Sequence, residues 1–276
     1  VCRAAGVPLL VDNAHGAYLR FLRQSPHPMA TGADICCDSA HKTLPVLTGG
    51  AYLHIGVNAP RSFFQKAREA MALFGSTSPS YLILQSLDIA NMYLADGYPE
   101  RLAKTVNSVE ELKARLRNNG WNIVGNEALK LTVGAKSYGY TGIEISAVLR
   151  ERGIVCEYAD LDYTVMMFTP ENSQADFCKV RMAFEDIKPK GVILPGPPEF
   201  EPPKSVMSVR QAVFAKIRRA ALSQALGHVA ASLAVSCPPA VPPVAPGEII
   251  TVNSLKVCEY YGVKELPVIE QGYSEE

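Results

Sequence analysis

The sequence predicts an α/β protein: a mainly parallel sheet with helices, followed by a smaller α+β domain and a C-terminal extension. The apolar run 7–11 is continuous and ends at Asp12, a pattern typical of a strand buried on both faces of a parallel sheet. Residues 33–37 and 50–55 have the same strand-like character. After Trp121 the pattern changes to strand, helix, strand, strand and helix, the order of a compact α+β domain.

Helices are predicted where apolar side chains recur every three or four residues. These segments are 61–74, 80–94, 101–119, 141–152 and 174–187. The third is the clearest, with an apolar stripe formed by Leu102, Val106, Val109, Leu112 and Leu116. Strands are predicted around the later helices, and they cover 129–133, 154–158 and 164–168. The last two of these strands can pair.

Two proline-rich segments interrupt the C-terminal part. Residues 188–204 hold six prolines, which predicts an irregular linker or wrapping segment. The pattern Ser-x-x-Gln that begins at Ser208 is a capping box, and it predicts a helix running toward Gly227. A second proline-rich turn at 237–247 precedes a helical segment at 253–261.

The order of these segments predicts three domains, at 1–120, 121–190 and 191–276. The chain starts with Val1, and residues 1–6 have the pattern of the last turn of a helix that ends at glycine. A helix end without its beginning leads us to expect that the chain is the C-terminal part of a larger polypeptide.

The composition excludes several classes of partner. The 276 residues are 48% hydrophobic and 20% charged, as in an ordinary globular protein. Lysine plus arginine and aspartate plus glutamate number 27 each, so no net field recruits nucleic acid or an anionic membrane. No apolar run approaches the length that crosses a bilayer. The seven cysteines are odd in number and form no Cys-x-x-Cys pair, which favours a reducing, cytoplasmic location.

Lys42 and Asp12 are the strongest candidates for chemistry. An amine forms a Schiff base with an aldehyde when burial or nearby positive charge keeps it partly neutral. Pyridoxal phosphate also needs a carboxylate that keeps its ring nitrogen protonated, and Asp12 at a strand end is placed for that role. Ser39 and His41 flank Lys42 and can donate hydrogen bonds to phosphate. A lone lysine is usually a solvated surface charge, so the prediction rests on the order strand, Asp12, strand, Ser-x-His-Lys, strand.

Four segments carry a family resemblance. The strongest are Asp12-Asn-Ala-His-Gly16 and Ser39-Ala-His-Lys-Thr-Leu-Pro-Val-Leu-Thr48, supported by Ser76-Thr-Ser-Pro-Ser-Tyr81 and Cys237-Pro-Pro-Ala-Val-Pro-Pro-Val-Ala-Pro-Gly-Glu248. Together they resemble the ornithine/lysine/arginine decarboxylases. The resemblance implies the aspartate-aminotransferase-like fold of fold-type-I pyridoxal-phosphate enzymes, and decarboxylation of ornithine, lysine or arginine. Asn13 departs from the Glu that many relatives carry.

The resemblance also implies a role for each matching residue. Lys42 would bind the aldehyde carbon of pyridoxal phosphate, Asp12 would face the ring nitrogen, and Ala14 would lie under the ring face. His15 would lie near the cofactor, with a role that the resemblance does not assign.

The phosphate of the cofactor would be held by two subunits, since family sites lie at a dimer interface. Ser39 and His41 would contact it from the same chain. Ser76 and Thr77 would reach the phosphate of the neighbouring subunit. The resemblance therefore implies a homodimer or a higher homo-oligomer.

The implied substrate is a basic amino acid. Glu157 and Asp160 could face its distal amine or guanidinium, but both are equally well explained as surface acids. The resemblance leads us to expect that the first half of the family's large domain lies upstream of Val1. That half carries another phosphate-binding loop and the group that stacks on the ring.

Three alternatives remain open. One is another fold-type-I enzyme, such as an aminotransferase or a desulfurase. A second is an inactive fragment that acts only as an interaction module through its open sheet edge. A third treats Cys36, Cys37 and His41 as metal ligands, although adjacent cysteines in a strand point to opposite faces.

Overall fold

The computed structural model of the chain describes residues 1–194, 196–232 and 242–270. It divides into two compact units. The first contains residues 1–115, 126–130 and 167–182, and the second contains 116–125, 131–166 and the described part of 183–276. The three domains predicted from the sequence remain a prediction. Within the described ranges, no helix combines the length and apolar content that a membrane crossing requires.

A three-stranded sheet forms the centre of the first unit. Its strands are β1 (Leu10–Asp12), β2 (Ile35–Asp38) and β3 (Tyr52–Ile55), in the order β1-β2-β3. β1 and β2 are parallel, whereas β2 and β3 are antiparallel. The prediction of a mainly parallel sheet is therefore corrected to a mixed sheet, because the connection between β2 and β3 returns the chain in the opposite direction.

β1 is not buried on both faces, contrary to the sequence prediction. Leu10 is 62% exposed and Val7 is 55% exposed. The reason is position: β1 is an edge strand of this sheet. One face of the sheet is also open, since Cys37 and Leu53 are exposed. The apolar composition of a strand indicates a preference for burial, but the strand is buried only if neighbouring helices or strands pack against it.

The first half of the chain contains five α-helices, the first two of them between strands of this sheet: α1 (Pro28–Thr31), α2 (Ala40–Thr43), α3 (Arg61–Phe74), α4 (Tyr81–Ala95) and α5 (Tyr98–Asn118). A 3-10 helix covers Ala17–Phe21. The bounds predicted for α3 are confirmed, and those of α4 and α5 differ by a few residues. The stripe predicted along α5 is buried, with Val106 half-buried and Leu102, Val109, Leu112 and Leu116 at 5% exposure or less.

The second unit is built mainly on a four-stranded sheet. Its strands are β4 (Asn122–Val124), β5 (Lys130–Gly134), β6 (Tyr158–Ala159) and β7 (Tyr163–Met167), in the order β4-β5-β7-β6. β6 and β7 pair antiparallel, as expected, but of the predicted strand 154–158 only Tyr158 lies in β6. Its α-helix in this stretch is α6 (Gly142–Glu151), and a 3-10 helix covers Ala135–Tyr138. The next helix along the chain, α7 (Gln174–Glu185), belongs mostly to the first unit.

The C-terminal part differs from its prediction. The helix that starts at the Ser208 capping box does not run to Gly227, because Ala215 is already extended and the next residues enter a sheet. The elements are α8 (Val209–Phe214), β8 (Ile217–Ala221), α9 (Leu222–Ala225), α10 (Val252–Tyr260) and β9 (Glu265–Ile269). β8 pairs antiparallel with β9 over all five residues, and this distant partner overrides the local helical pattern. Of the proline-rich turn, residues 237–241 lie outside the described residues.

The Thr141 capping box yields a first prediction. The Thr141 hydroxyl accepts a hydrogen bond from the Glu144 N–H at 3.2 Å, and a Glu144 carboxylate oxygen accepts one from the Thr141 N–H at 2.7 Å. We expect Thr141→Ala to lower the free energy of unfolding by about 1 kcal/mol, because an N–H at the start of α6 loses its acceptor. Urea denaturation measures this, with Thr141→Ser as the matched control. Equal stability of Thr141→Ala and wild type would contradict the prediction.

Candidate active site

The structure brings the Asp12 and Lys42 segments together at one end of the sheet. Asp12 is the last residue of β1 and pairs with Cys37 in β2. The next backbone N–H, of Asn13, donates to the Cys37 carbonyl at 2.9 Å. β2 ends one residue later, and the chain continues directly into Ser39 and the short helix that contains Lys42. Both segments therefore leave the carboxyl ends of adjacent parallel strands, where ligand sites of open α/β sheets lie.

Lys42 faces solvent from a firmly held helix. Ala40 and Thr43 of α2 are buried, and Ala40 packs in a core cluster with Ala17 and Tyr18. Lys42 itself is exposed. The described residues therefore fix the backbone of this lysine and leave its side chain accessible.

Ser39 and His41, which precede Lys42, differ in the hydrogen bonds that their side chains make within the chain. Ser39 is the N-cap residue of α2, but its side chain makes no capping hydrogen bond, so its hydroxyl is not used by its own helix. The His41 ring Nδ1 lies 3.0 Å from the Gly50 carbonyl oxygen. A carbonyl only accepts, so Nδ1 carries the proton. Nε2 of a neutral His41 is then an acceptor, and it can donate to a phosphate only when the ring is protonated.

The remaining residues predicted to bind the cofactor lie in two places. Ala14 and His15 are half-buried in the turn that follows Asp12. Ser76 and Thr77 are exposed, in the segment between α3 and α4, and the Ser76 hydroxyl accepts from the Ser78 N–H at 3.1 Å. Within the described chain, no hydrogen bond joins these two residues to the Asp12 or Lys42 segment.

Asp160 already has a local role in the turn between β6 and β7. One of its oxygens accepts from the N–H groups of Asp162 and Tyr163, at 2.8 and 2.7 Å, and the other accepts from the Tyr158 hydroxyl at 2.8 Å. These bonds favour the structural interpretation of Asp160. Glu157 is exposed, and the structure gives no contact that assigns it a role.

Sequence reasoning missed a buried carboxylate beside the Lys42 segment. Asp38 has a side chain that is only 3% exposed, and one of its oxygens lies 2.9 Å from Nε2 of both His27 and His54. The other oxygen accepts from the Asn13 amide at 2.7 Å and from the Cys36 thiol at 3.4 Å. Burial alone would raise the pKa of Asp38, but hydrogen bonds from His54, His27 and Asn13 hold it well below its ordinary value. His27 and His54 are far from the motif in sequence, so no local pattern reveals the cluster.

The Asp38 cluster lies on the opposite face of the sheet from the Asp12 side chain. Asp12 shares a face with its partner Cys37, and the next side chain along β2, that of Asp38, points the other way. On this second face a cavity of about 330 Å³ is lined by His27, Asp38, His54, Tyr52, Leu44, Met29, Asn91, Leu94, Arg20, Ala17 and Phe21. None of the residues predicted to contact the cofactor lines it.

His27, Asp38 and His54 are close enough together to chelate a metal ion. The hydrogen bonds argue against that use. The His27 ring accepts the Met29 N–H at Nδ1, at 3.2 Å, so its proton sits on Nε2 and points at Asp38. A metal ligand needs a bare nitrogen at that position. The group is therefore a hydrogen-bond cluster in which a buried carboxylate is satisfied by neighbouring donors. The thiols of the alternative metal site do not converge, because Cys36 is buried and Cys37 is exposed.

Comparison with known proteins places this arrangement in a family. A family model described as the Orn/Lys/Arg decarboxylase major domain matches residues 2–133, and its C-terminal domain counterpart matches residues 200–266. The chain is 31% identical over 274 residues to an arginine decarboxylase of Bacillus subtilis (strain 168), a match that covers 90% of this chain and 54% of that protein.

Two solved lysine decarboxylase structures share the fold. That of Francisella novicida matches with a TM-score of 0.71 at 17% identity, over 95% of this chain and 53% of the other. The constitutive enzyme of E. coli matches with a TM-score of 0.70 at 18% identity, over 96% and 55%. The chain thus spans about half the length of the relatives that it matches. Because both domain models of one family are found in it, the chain belongs to the ornithine/lysine/arginine decarboxylase family.

Proposed function

We propose that this chain supplies the lysine and the ring-nitrogen carboxylate for pyridoxal-phosphate-dependent decarboxylation of a basic amino acid. The observation that carries the proposal is the junction of two segments. Asp12 pairs with Cys37, and Asn13 N–H donates to the Cys37 carbonyl at 2.9 Å, immediately before the segment of Lys42. Membership of the decarboxylase family supports the same conclusion.

The groups at the carboxyl ends of β1 and β2 are chemically suited to bind the cofactor. Lys42 offers an accessible amine, Asp12 an accessible carboxylate, and Ser39 a hydroxyl that does not cap its own helix. His41 adds a positive charge when it is protonated, and Ala14 is small enough to lie against a flat ring. When bound, pyridoxal phosphate supplies an electron sink for the carbanion that decarboxylation leaves.

Each residue then has a defined task. The Lys42 amine would hold the cofactor by its aldehyde carbon, with the aldehyde oxygen leaving as water, and would be the group that the substrate amine replaces. Asp12 accepts the N–H of the ring nitrogen and so holds a proton there. Ser39 donates to the phosphate. Exposure of Lys42 leaves room for the substrate amine to approach it.

The proposed substrate class is ornithine, lysine or arginine, and the product is the corresponding amine, a reaction of polyamine biosynthesis in the cytoplasm. The names of the relatives, arginine and lysine decarboxylases, support this class. We further propose a homodimer, in which Ser76 and Thr77 reach the phosphate of the neighbouring subunit. Their exposure in an isolated chain is what such a role requires.

Lys42 provides the direct test of cofactor binding. The chain mixed with pyridoxal phosphate is expected to gain a visible absorbance band, and borohydride is expected to fix the cofactor to Lys42, as identified by peptide mapping. Lys42→Ala should lose both signals, because it removes the reacting amine. Lys66→Ala, on the exposed surface of α3, is the matched control and should keep them. Trapping on another lysine would overturn the assignment.

Asp12→Asn separates binding from catalysis. We expect this variant to keep the covalent bond to Lys42 and to lose decarboxylation by about 100-fold or more, the usual size of a lost electrostatic contact to the developing charge. The measurement is carbon dioxide release from arginine, lysine and ornithine by the natural polypeptide that carries this sequence. An unchanged rate would remove Asp12 from the mechanism. Transamination without carbon dioxide release would favour an aminotransferase.

Subunit complementation tests the shared phosphate site. Lys42→Ala chains and Ser76→Ala/Thr77→Ala chains should each be impaired as homodimers. Mixed dimers should recover activity, because one of their two sites combines intact residues from both chains. The assay compares turnover before and after mixing the refolded variants, with self-mixed samples as controls. Full activity of the Ser76→Ala/Thr77→Ala homodimer would show that these residues do not hold the phosphate.

A further inference from the structure

Asp38 joins the two segments that carry the proposed cofactor residues. It lies four residues before Lys42, and its carboxylate accepts the side-chain amide of Asn13, the residue after Asp12, at 2.7 Å. The backbone hydrogen bond from Asn13 to Cys37 runs alongside. A side-chain bond and a main-chain bond therefore tie the Asp12 turn to the end of β2 at the same place.

Two histidines hold this carboxylate in place from the other side. His27 lies at the start of α1 and His54 in β3, and each places Nε2 at 2.9 Å from the same Asp38 oxygen. Since His27 accepts the Met29 N–H at Nδ1, its ring is fixed in the form that donates to Asp38. Three separate segments thus donate to one buried group. A buried charge with several donors permits only a narrow range of positions.

Glycine at position 16 is part of the same arrangement. A Cβ at this position would lie 1.9 Å from the Asn13 side-chain oxygen and 2.5 Å from its nitrogen. Any larger residue would push the Asn13 amide away from Asp38. The turn is therefore shaped to keep the Asn13 side chain folded over Gly16 and directed at the carboxylate.

We propose that Asp38, held by His27 and His54, is a positioning residue that sets Lys42 relative to Asp12 through its hydrogen bond to Asn13. The inference rests on the proposed function. It adds a residue that touches neither cofactor nor substrate, since the Asp38 side chain faces the other side of the sheet from Asp12. In the wall of the cavity beside it, the polar groups of Asp38 and Tyr52 are already hydrogen-bonded within the chain.

Three variants test the proposal from different directions. Asn13→Ala removes the donor, Asp38→Asn removes the charge, and Gly16→Ala displaces the Asn13 amide while both partners keep their own side chains. Asp162→Asn is the matched control, because Asp162 is also a buried carboxylate in an ion pair, with Lys136 at 3.0 Å, but lies outside the candidate site. The swap Asn13→Asp with Asp38→Asn exchanges donor and acceptor and is expected to restore the bond.

The first readout needs no cofactor. Hydrogen–deuterium exchange at the amides of 39–44 should accelerate about tenfold or more in the three variants, the size expected when a hydrogen bond to a buried charge is lost. The swap should reverse the effect, and Asp162→Asn should leave these amides unchanged. Unchanged exchange in Asn13→Ala and Gly16→Ala would overturn the inference, even if Asp38→Asn fails to fold.

The second readout is borohydride trapping of pyridoxal phosphate on Lys42. In the three variants the trapped fraction should fall, whereas the swap and Asp162→Asn should trap as wild type does. If wild type traps and the variants trap equally well, positioning by Asp38 is wrong and the proposed function stands. If borohydride does not fix pyridoxal phosphate to Lys42 in the wild type, the proposed function fails. If hydrogen–deuterium exchange at 39–44 still responds as expected, the role of the Asn13–Asp38 hydrogen bond in positioning this segment remains.

Discussion

The first unit depends on one buried negative charge. A carboxylate removed from water is costly unless donors replace its hydration, and Asp38 receives donors from Asn13, Cys36, His27 and His54. This requirement fixes where the Asp12 turn, the start of α1 and the strand β3 can lie. On the proposal made above, hydrogen bonds to this carboxylate, on the opposite face of the sheet, hold the backbone that bears Lys42 in position.

The sequence was sufficient for the parts of the structure that depend on local chemistry. The helix at 61–74, the buried stripe of α5 and the capping box at Thr141 follow from side-chain spacing and from single hydrogen bonds, and all are present. The meeting of the Asp12 and Lys42 segments followed from their order along a parallel strand pair. Their chemical roles are still predictions.

The failures share a physical origin in distant partners. The pattern from Ser208 toward Gly227 is helical locally, yet residues 217–221 pair with a strand almost fifty residues later. The apolar run at β1 indicated burial that an edge position does not supply. The Asp38 cluster combines positions 27, 38 and 54, which no periodicity links. Tertiary packing determines such contacts, and they could not be predicted from the local patterns of a single sequence.

The exposed amine of Lys42 bears on selectivity. If Lys42 forms the proposed covalent bond, its exposed amine is open to other small aldehydes, sugars included, as well as to the cofactor. The covalent step therefore discriminates poorly between the proper cofactor and a glycating sugar. Under the proposed function, discrimination would come from two groups that the cofactor alone presents together, a pyridine nitrogen for Asp12 and a phosphate for Ser39. On this view the noncovalent contacts protect the lysine from adventitious carbonyls as much as they serve the reaction.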